Sequence, residues 1–345
     1  MESPREITIY DIARNLNISA STVSRALQDH PDVNKVTKKK VFEMATQMGY
    51  RSNLLARGLR RQHTMTIGVM VTELNSGFTT SILSGIEQVA NEAGYSIIMT
   101  DSSMSAKKEV ANARTLFERR VDGIIASPAP DTQNLNHFKP FIEKGIPIIL
   151  LDWGGQHRES MSVSIDNLTS GYTATSHLID QGCRRIAHIT PNIQQHMYSL
   201  RYKGYLNALR DRKILFEKKW LVTSELTEDA STAAAKKIIN LKPMPDAVFI
   251  SDDFAAAICI RAFQDHGLNV PRDIAVVGFN NDIIGRLIKP ALTTINYPGK
   301  EIGEIAAKNM VYHLKGQNSI DKTSAVTIRS ELIIRQSSLR KHPAR

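Results

Sequence analysis

At 345 residues and 38.4 kDa the chain has room for two or three domains, and its 42% hydrophobic and 23% charged content is that of a globular protein. Its two cysteines, Cys183 and Cys259, stand too far apart for a CxxC pair, which argues against a disulfide framework or a cysteine-held zinc, and no stretch is apolar enough for a signal core or membrane span. Of the net charge of +10, half falls on the first 63 residues, which hold 11 Lys+Arg against 6 Asp+Glu; on charge alone this fits equally a solvated basic surface and a polyanion-binding module joined to a nearly neutral body.

The first predicted helix opens at Thr8, able to cap it, with Asp11 near its positive end and Ile12, Ala13 and Leu16 as an apolar stripe. Asn17 can turn the chain, Ile18 can plug the corner and Ser19 can cap a second helix, whose buried side is Val23, Ala26 and Leu27. The rest of that helix is Ala20, Ser21, Thr22, Ser24 and Arg25, although hydroxyl residues are mediocre helix formers. A third helix is expected from a Thr37 cap to Gly49, with Val41, Met44, Ala45 and Met48 inside and Lys38, Lys39 and Lys40 opposite. Two short helices joined by so tight a turn describe a helix-turn-helix. Its hydroxyls then have a purpose. A helix end entering the major groove needs short side chains for close approach, hydroxyls for phosphates and base edges, and an arginine able to grip guanine.

At this point "TIYDIARNLNISASTVSRAL", followed by "GYRSNLLARGLR", resembles the DNA-binding head and hinge of the LacI/GalR family of lac and purine repressors. The resemblance continues through "DWGG", "SIDN", "RYKGYLNAL", "DAVFISDDFAA", "VVGFNND" and "PALTTINYP", in the family's order. It implies that Ala20, Ser21 and Arg25 face bases, that Ala20 offers at most a thymine-methyl contact, and that Thr8, Thr22, Ser24 and Asn34 are placed for phosphates. It also implies a hinge helix over Ser52–Arg61 with Asn53, Ala56, Leu59 and Arg60 toward DNA and Leu59 as the minor-groove wedge. Ser52 stands where the family often has proline, and Gly58 where it has Ser or Gln. Glycine costs about 1 kcal/mol in a helix, so this hinge is expected to fold only on DNA.

Beyond His63 the pattern becomes buried strands alternating with helices: "TIGVMV", "YSIIMT", "VDGIIAS" and "IPIILLD", with helices near 82–93, 107–119 and 135–144. "RRIAHIT", "DAVFIS" and "DIAVVGF" begin a second series. The expected fold is thus a small all-α head on an α/β body of two doubly wound parallel sheets, like periplasmic binding proteins. The expected division is 1–50 for the head, 51–63 for the hinge and 64–345 for the body. One lobe takes 64–163 and 294–322, the other 164–293 and 323–345, with crossings near 164, 293 and 323. Ligands of such sheets bind at the carboxyl ends of strands. The residues there are Phe78, Asp152, Trp153, Arg201 (opening the helix after "HIT"), Asp252 and Asn280. The resemblance makes Phe78, Arg201, Asp252 and Asn280 effector contacts. Asp152 and Trp153 stand evenly between contact and scaffold, Asp253 reads as a helix cap, and Asp166 as structural. Asn280 replaces the family's usual aspartate, which weakens a charge pair with Arg201, and Gln195 replaces the arginine of purine-binding relatives, which favours a carbohydrate.

No GxSxG, GxxxxGK, HExxH or GxGxxG motif gives catalysis a foothold, and His188 reads as a strand residue; no catalytic residue, metal site or cofactor is expected. The expectation is a cytoplasmic, nucleoid-associated bacterial regulator of carbohydrate genes, most simply a repressor, binding a palindromic DNA operator as a homodimer under a sugar effector. A corepressor or activator role stays open. A solute-binding protein would be expected to carry an export signal and no head, and a fused enzyme a catalytic cluster. The tail "SSLRKHPAR" is too short and polar for a leucine heptad, which favours a dimer over a tetramer.

Overall fold

A computed structural model of the chain describes residues 7–50, 63–153, 160–317, 320 and 325–340. It divides into two compact units after Thr64. The hinge positions Asn53, Ala56, Leu59 and Arg60 lie outside the described residues.

The head is three helices, Ile9–Leu16, Ala20–Leu27 and Lys35–Gln47, around Ile12, Ala13, Val23, Ala26, Val33, Val41 and Ala45. Asn17 makes the turn in the left-handed region at φ 54°, which asparagine tolerates, and its backbone N–H bonds back to Ala13 and Arg14. Ile18 packs on the core beneath it. The third helix starts earlier than expected. Asn34, not Thr37, is its cap, with Oδ1 accepting from the Thr37 amide at 2.8 Å, because asparagine serves the role as well and Lys35 and Val36 extend the helix freely. Lys38 also departs from the expected basic face: it is largely buried and donates to the Asp29 carboxylate at 2.6 Å, while Lys39 stays exposed.

The body holds two six-stranded sheets. The first runs β1 (Thr66–Val71), β2 (Ser96–Asp101), β3 (Gly123–Ala126), β4 (Ile148–Leu151) and β5 (Met161–Ile165). The second contains β6 (Ile186–Thr190), β7 (Leu221–Thr223), β8 (Ala247–Ile250), β9 (Ala275–Asn280) and β10 (Thr293–Asn296). Two late strands complete them: β11 (Ala325–Ile328) joins the first and β12 (Glu331–Ile333) the second. The orders are β11-β5-β4-β3-β1-β2 and β12-β10-β9-β8-β6-β7, parallel throughout except β12. The apolar runs of β3, β4 and β8 are buried at every residue, as strands covered by helices on both faces must be. The segment "YSIIMT" is instead a half-exposed edge strand, paired only with β1.

Because β10 pairs with β9 and β11 with β5, the second and third crossings fall after Asn296 and after Ile328, a few residues later than the pattern suggested. The first two crossings each deliver a helix to the other lobe, Asn167–Asp180 packing on His196–Asp211 and Gly299–Leu314 on Gly77–Glu92, and the third delivers β12. Both helix pairings use glycines. A Cβ on Gly85 or Gly303 would run into the facing helix backbone at Lys300 or Ile82, and one on Gly171 or Gly204 into Arg201 or Leu168. Gly204→Ala is therefore expected to force apart the helix that carries Arg201, costing about 1–3 kcal/mol in urea denaturation; an unchanged midpoint would show that the helices yield freely.

Candidate functional site

On the head, the second helix presents an edge rich in hydroxyls. Ser19 caps it, its Oγ accepting from the Thr22 amide at 3.0 Å and meeting Ser21 Oγ at 2.7 Å and Thr22 Oγ1 at 2.8 Å. Ser19 has one proton to give, so one of these two hydroxyls receives it and keeps its own proton for an outside acceptor. Ser24 accepts from Gln28 Nε2 at 3.3 Å and likewise keeps its proton. Ser21 and Arg25 are exposed, whereas Ala20 is half-buried against the head core. Asn34 spends Oδ1 on its cap and retains its amide protons. Thr8 gives its hydroxyl proton to Asp11 at 2.7 Å, which also accepts the Thr8 amide.

In the body, strand orders 2-1-3-4-5 and 7-6-8-9-10 each reverse once, between β1 and β3 and between β6 and β8, and crevices open at such points. Phe78 lies on the helix after β1, in its first turn, because Ser76 caps that helix at Gly77 rather than near 82. Arg201 lies on the helix after β6, in its second turn rather than at its opening, since the helix begins at His196. Arg201 is 1% exposed. Nε donates to Asn167 Oδ1 at 2.8 Å, Nη1 to the Ser251 carbonyl at 3.1 Å, and the group lies 3.5 Å from the centre of the Phe279 ring. Nη2 has no partner, and burial lowers the pKa of the group.

Around it lie two further orphans from other elements. Asp152 Oδ1, just after β4, and the Tyr297 hydroxyl, just after β10, are buried beside one another, and neither completes a hydrogen bond of good geometry. Thr190 Oγ1, Ser251 Oγ and His188 Nε2 are also buried without partners at this end of the second sheet. Buried polar groups are rarely left unpaired, so such a concentration marks a place built for something else to bond. Backbone strain gathers there as well: Asp152, Asn280 and Asn281 have φ of 54°, 110° and 59°.

Asn280 bonds not to Arg201 but to Asp252, Nδ2 to Oδ2 at 3.0 Å. Asp252 is itself the cap of helix Asp253–Asp265, accepting from the Ala255 amide at 2.8 Å. The cap expected at Asp253 is thus one residue earlier. Asp253 is fully buried, accepts from Thr294 Oγ1 at 2.7 Å and from the Asp282 amide at 2.8 Å, and fills the space left by Gly278; burial pushes its carboxyl up to about 8. Asp166 caps helix Asn167–Asp180 through the Thr169 amide. Trp153 packs on the Phe138 and Phe141 cluster of the first lobe, and its carbonyl accepts from Ser162 Oγ. His188 is a strand residue, its Nδ1 paired with the Phe249 carbonyl at 3.0 Å, and burial lowers it to about 4.

The rings of Phe78 and Tyr297 meet at 4.3 Å, tilted 31° to one another, with the Arg201 guanidinium 5.9 Å from the centre of the Tyr297 ring, and a cleft of about 560 Å³ is lined by Phe78, Asn280, Asp282 and Tyr297. The structure thus groups Phe78, Asp152, Arg201, Asp252 and Asn280. It adds Tyr297 and Tyr198, which the sequence reading missed. Tyr198 lies 5.2 Å from the guanidinium and three residues before it on the same helix, a spacing visible in the sequence.

Burial pushes Asp152 up to about 6 from an ordinary 3.8, against the lowering pull of the Tyr297 hydroxyl and the Arg201 charge. A carboxyl raised on folding favours the fold while protonated, below about pH 4, and loses that contribution as pH rises through 6. Asp152→Asn keeps a residue tolerant of the left-handed backbone. In denaturation at pH 4 and 7.5 it should exceed the parent in stability only at the higher pH; an equal difference at both would show that Asp152 ionises without penalty.

Comparison with known proteins places these features. Residues 8–53 match the profile of bacterial regulatory proteins, lacI family, and residues 175–338 that of a periplasmic binding protein-like domain. Catabolite control protein A of Priestia megaterium is 30% identical over 333 residues, 96% of this chain and 99% of that protein. The Lac repressor dimer bound to operator and the anti-inducer ONPF superposes with a TM-score of 0.86 at 21% identity, covering 97% of this chain and 100% of that one. A periplasmic binding protein/LacI transcriptional regulator from Alkaliphilus metalliredigens, complexed with D-xylulofuranose, gives 0.70 at 27% identity over 80% of this chain and 100% of that one. With its head and body both matched and a relative covered over nearly its whole length, this chain belongs to the lacI family of bacterial regulatory proteins and is a DNA-binding transcriptional regulator, not an enzyme.

Proposed function

We propose that the chain represses carbohydrate-utilisation genes by binding a palindromic operator as a homodimer, and that a sugar in the cleft releases it. The observation that carries the ligand half is the buried trio of Arg201 Nη2, Asp152 Oδ1 and the Tyr297 hydroxyl. A sugar hydroxyl both donates and accepts, so one hydroxyl can serve Asp152 and Arg201 together, with an aromatic ring such as Phe78 against the sugar's apolar face. Asp252 keeps unused lone pairs beside Asn280 for a second hydroxyl. Entry parts Phe78 from Tyr297, so ligand affinity depends on how far the lobes are open. The bound D-xylulofuranose of the Alkaliphilus regulator supports the ligand class.

For the DNA half, a single recognition helix reads only a few base pairs, and a twofold pair reads two half-sites about one DNA turn apart. The operator-bound dimer of the Lac repressor supports that assembly. Arg25 and Ser21, exposed on the recognition helix, are assigned to base edges, and Ala20 to a thymine methyl at most. Ser24 and Asn34 keep protons for phosphates, and Thr22 keeps its own where Ser19 donates to it; Thr8 is the weakest of the set because its proton is given to Asp11. Asn53, Ala56, Leu59 and Arg60 of the hinge keep their assignment on the family pattern alone.

The test begins with an operator selected from the organism's own genomic fragments. Saturating sugar should raise the operator dissociation constant; tighter binding would make the ligand a corepressor, and no change would remove the effector role. Arg25→Ala should weaken specific binding by about 1–3 kcal/mol and blur one base position, whereas Lys39→Ala should weaken all DNA alike. Equal, sequence-independent losses would count against Arg25 as the reader.

A further inference from the structure

We infer that the cleft selects an uncharged polyhydroxy ligand and rejects its phosphorylated or carboxylated counterparts, with Asp152 and Asp252 as the residues that set this charge preference. The inference rests on the reading of the cleft as the effector site and narrows it by charge.

The cations near the site are largely committed. Arg201 spends Nε and Nη1 on neutral acceptors inside the protein and covers its face with Phe279, leaving Nη2 alone for a ligand. Phosphate is normally gripped by a forked guanidinium or several amides. Arg335, the next arginine, gives Nη2 to Asn281 Oδ1 at 2.7 Å and Nη1 to the Leu292 carbonyl. His188 is neutral at pH 7. Lys300 is exposed and lines the cleft together with three acids, Asp282, Glu301 and Glu304.

Helix starts offer little more. Asp252 caps Asp253–Asp265 with a carboxylate, and at the start of Gly77–Glu92, capped by Ser76, Gly77 abuts the Asp282 carboxylate so closely that a Cβ would strike it. The helix carrying Arg201 lacks a side-chain cap and begins at exposed His196.

The carboxylates, by contrast, are in place. Asp152 presents a buried oxygen that completes no bond of good geometry with the neighbouring Tyr297 hydroxyl, Asp252 lies 3.0 Å from Asn280, and Glu73 is half-buried on the segment after β1. Burial raises Asp152 and Asp252 to about 6, and the charges of Asp282 and Glu73 push Asp252 the same way, so Asp252 sits among other acids. A phosphate or carboxylate brings only acceptors. It satisfies neither Asp152 nor Asp252, and repels both; a hydroxyl satisfies Asp152 and Arg201 at once.

The test uses the full chain and calorimetric titration with matched probes: D-ribose and ribose 5-phosphate, D-glucose and glucose 6-phosphate, and D-gluconate. For whichever sugar binds, its phosphate ester should bind at least about 100-fold more weakly, because like charges brought together are strongly penalised. Asp152→Asn should shrink that ratio by about tenfold or more while weakening the neutral sugar. Should that variant fail to fold, Asp252→Asn, which keeps a good helix cap, should shrink the ratio in its place. An ester or gluconate binding as well as the neutral sugar overturns the charge preference and leaves the sugar reading intact. An unchanged ratio in the folded variant overturns the assignment to these aspartates. Silence from both members of every pair overturns the sugar reading, and this inference with it.

Discussion

Everything in the body turns on one buried guanidinium. Taking a cation out of water is costly unless neighbours compensate it fully, and truncating a partner is worse still. Arg201 is compensated in part. Two bonds to neutral oxygens and the face of Phe279 hold it in a single pose, which suits a planar, delocalised cation better than an ammonium. Its last nitrogen faces no carboxylate bond, although Asp152 is close enough to feel its charge. A protein tuned only for stability would have closed that pair. Leaving it open, with strained backbone at Asp152 and Asn280, holds free energy that a bonding ligand can recover.

The rest of the body exists to bring those groups together from far apart in the chain. Arg201 rides on the helix after β6 and touches Ser251 after β8; Asp152 comes from the other lobe, and Tyr297 from the segment where the chain recrosses. Two helix pairs hold the first two crossings by close backbone approach at Gly85 and Gly303 and at Gly171 and Gly204. The Phe78–Tyr297 ring contact joins the helix after β1 to the segment after β10. A ligand shifts the balance between two closures of the lobes only through its different affinity for them.

Local chemistry was the most readable part of the sequence. The head's apolar spacing, the Asn17 turn and the Ser19 cap each follow from a few adjacent residues, and the structure shows all three. Strands with long apolar runs, such as "IPIILLD" and "DAVFIS", were equally plain. Short polar strands were not: "MSVSI" and "TTIN" look like loop until their neighbours are known, which displaced a lobe crossing and hid Tyr297 behind an unrecognised strand. Adjacent Asp252 and Asp253 are chemically interchangeable in the sequence. Only helix phase and the space opposite Gly278 decide which one caps and which is buried. Likewise nothing local shows that Lys38 turns to Asp29 rather than outward, since Asp29 lies nine residues away.

The central claim is that cleft occupancy and operator binding are one linked equilibrium. The most direct measurement is a complete thermodynamic cycle: sugar affinity of the free protein and of the operator complex, beside operator affinity with and without sugar. Linkage requires that the sugar weaken the operator and the operator weaken the sugar by the same factor, and a repressor of this kind should show about 5–150-fold in each direction. Identical sugar affinity in free and operator-bound protein would contradict the account, leaving the Arg201 cleft a binding site with no hold on the DNA.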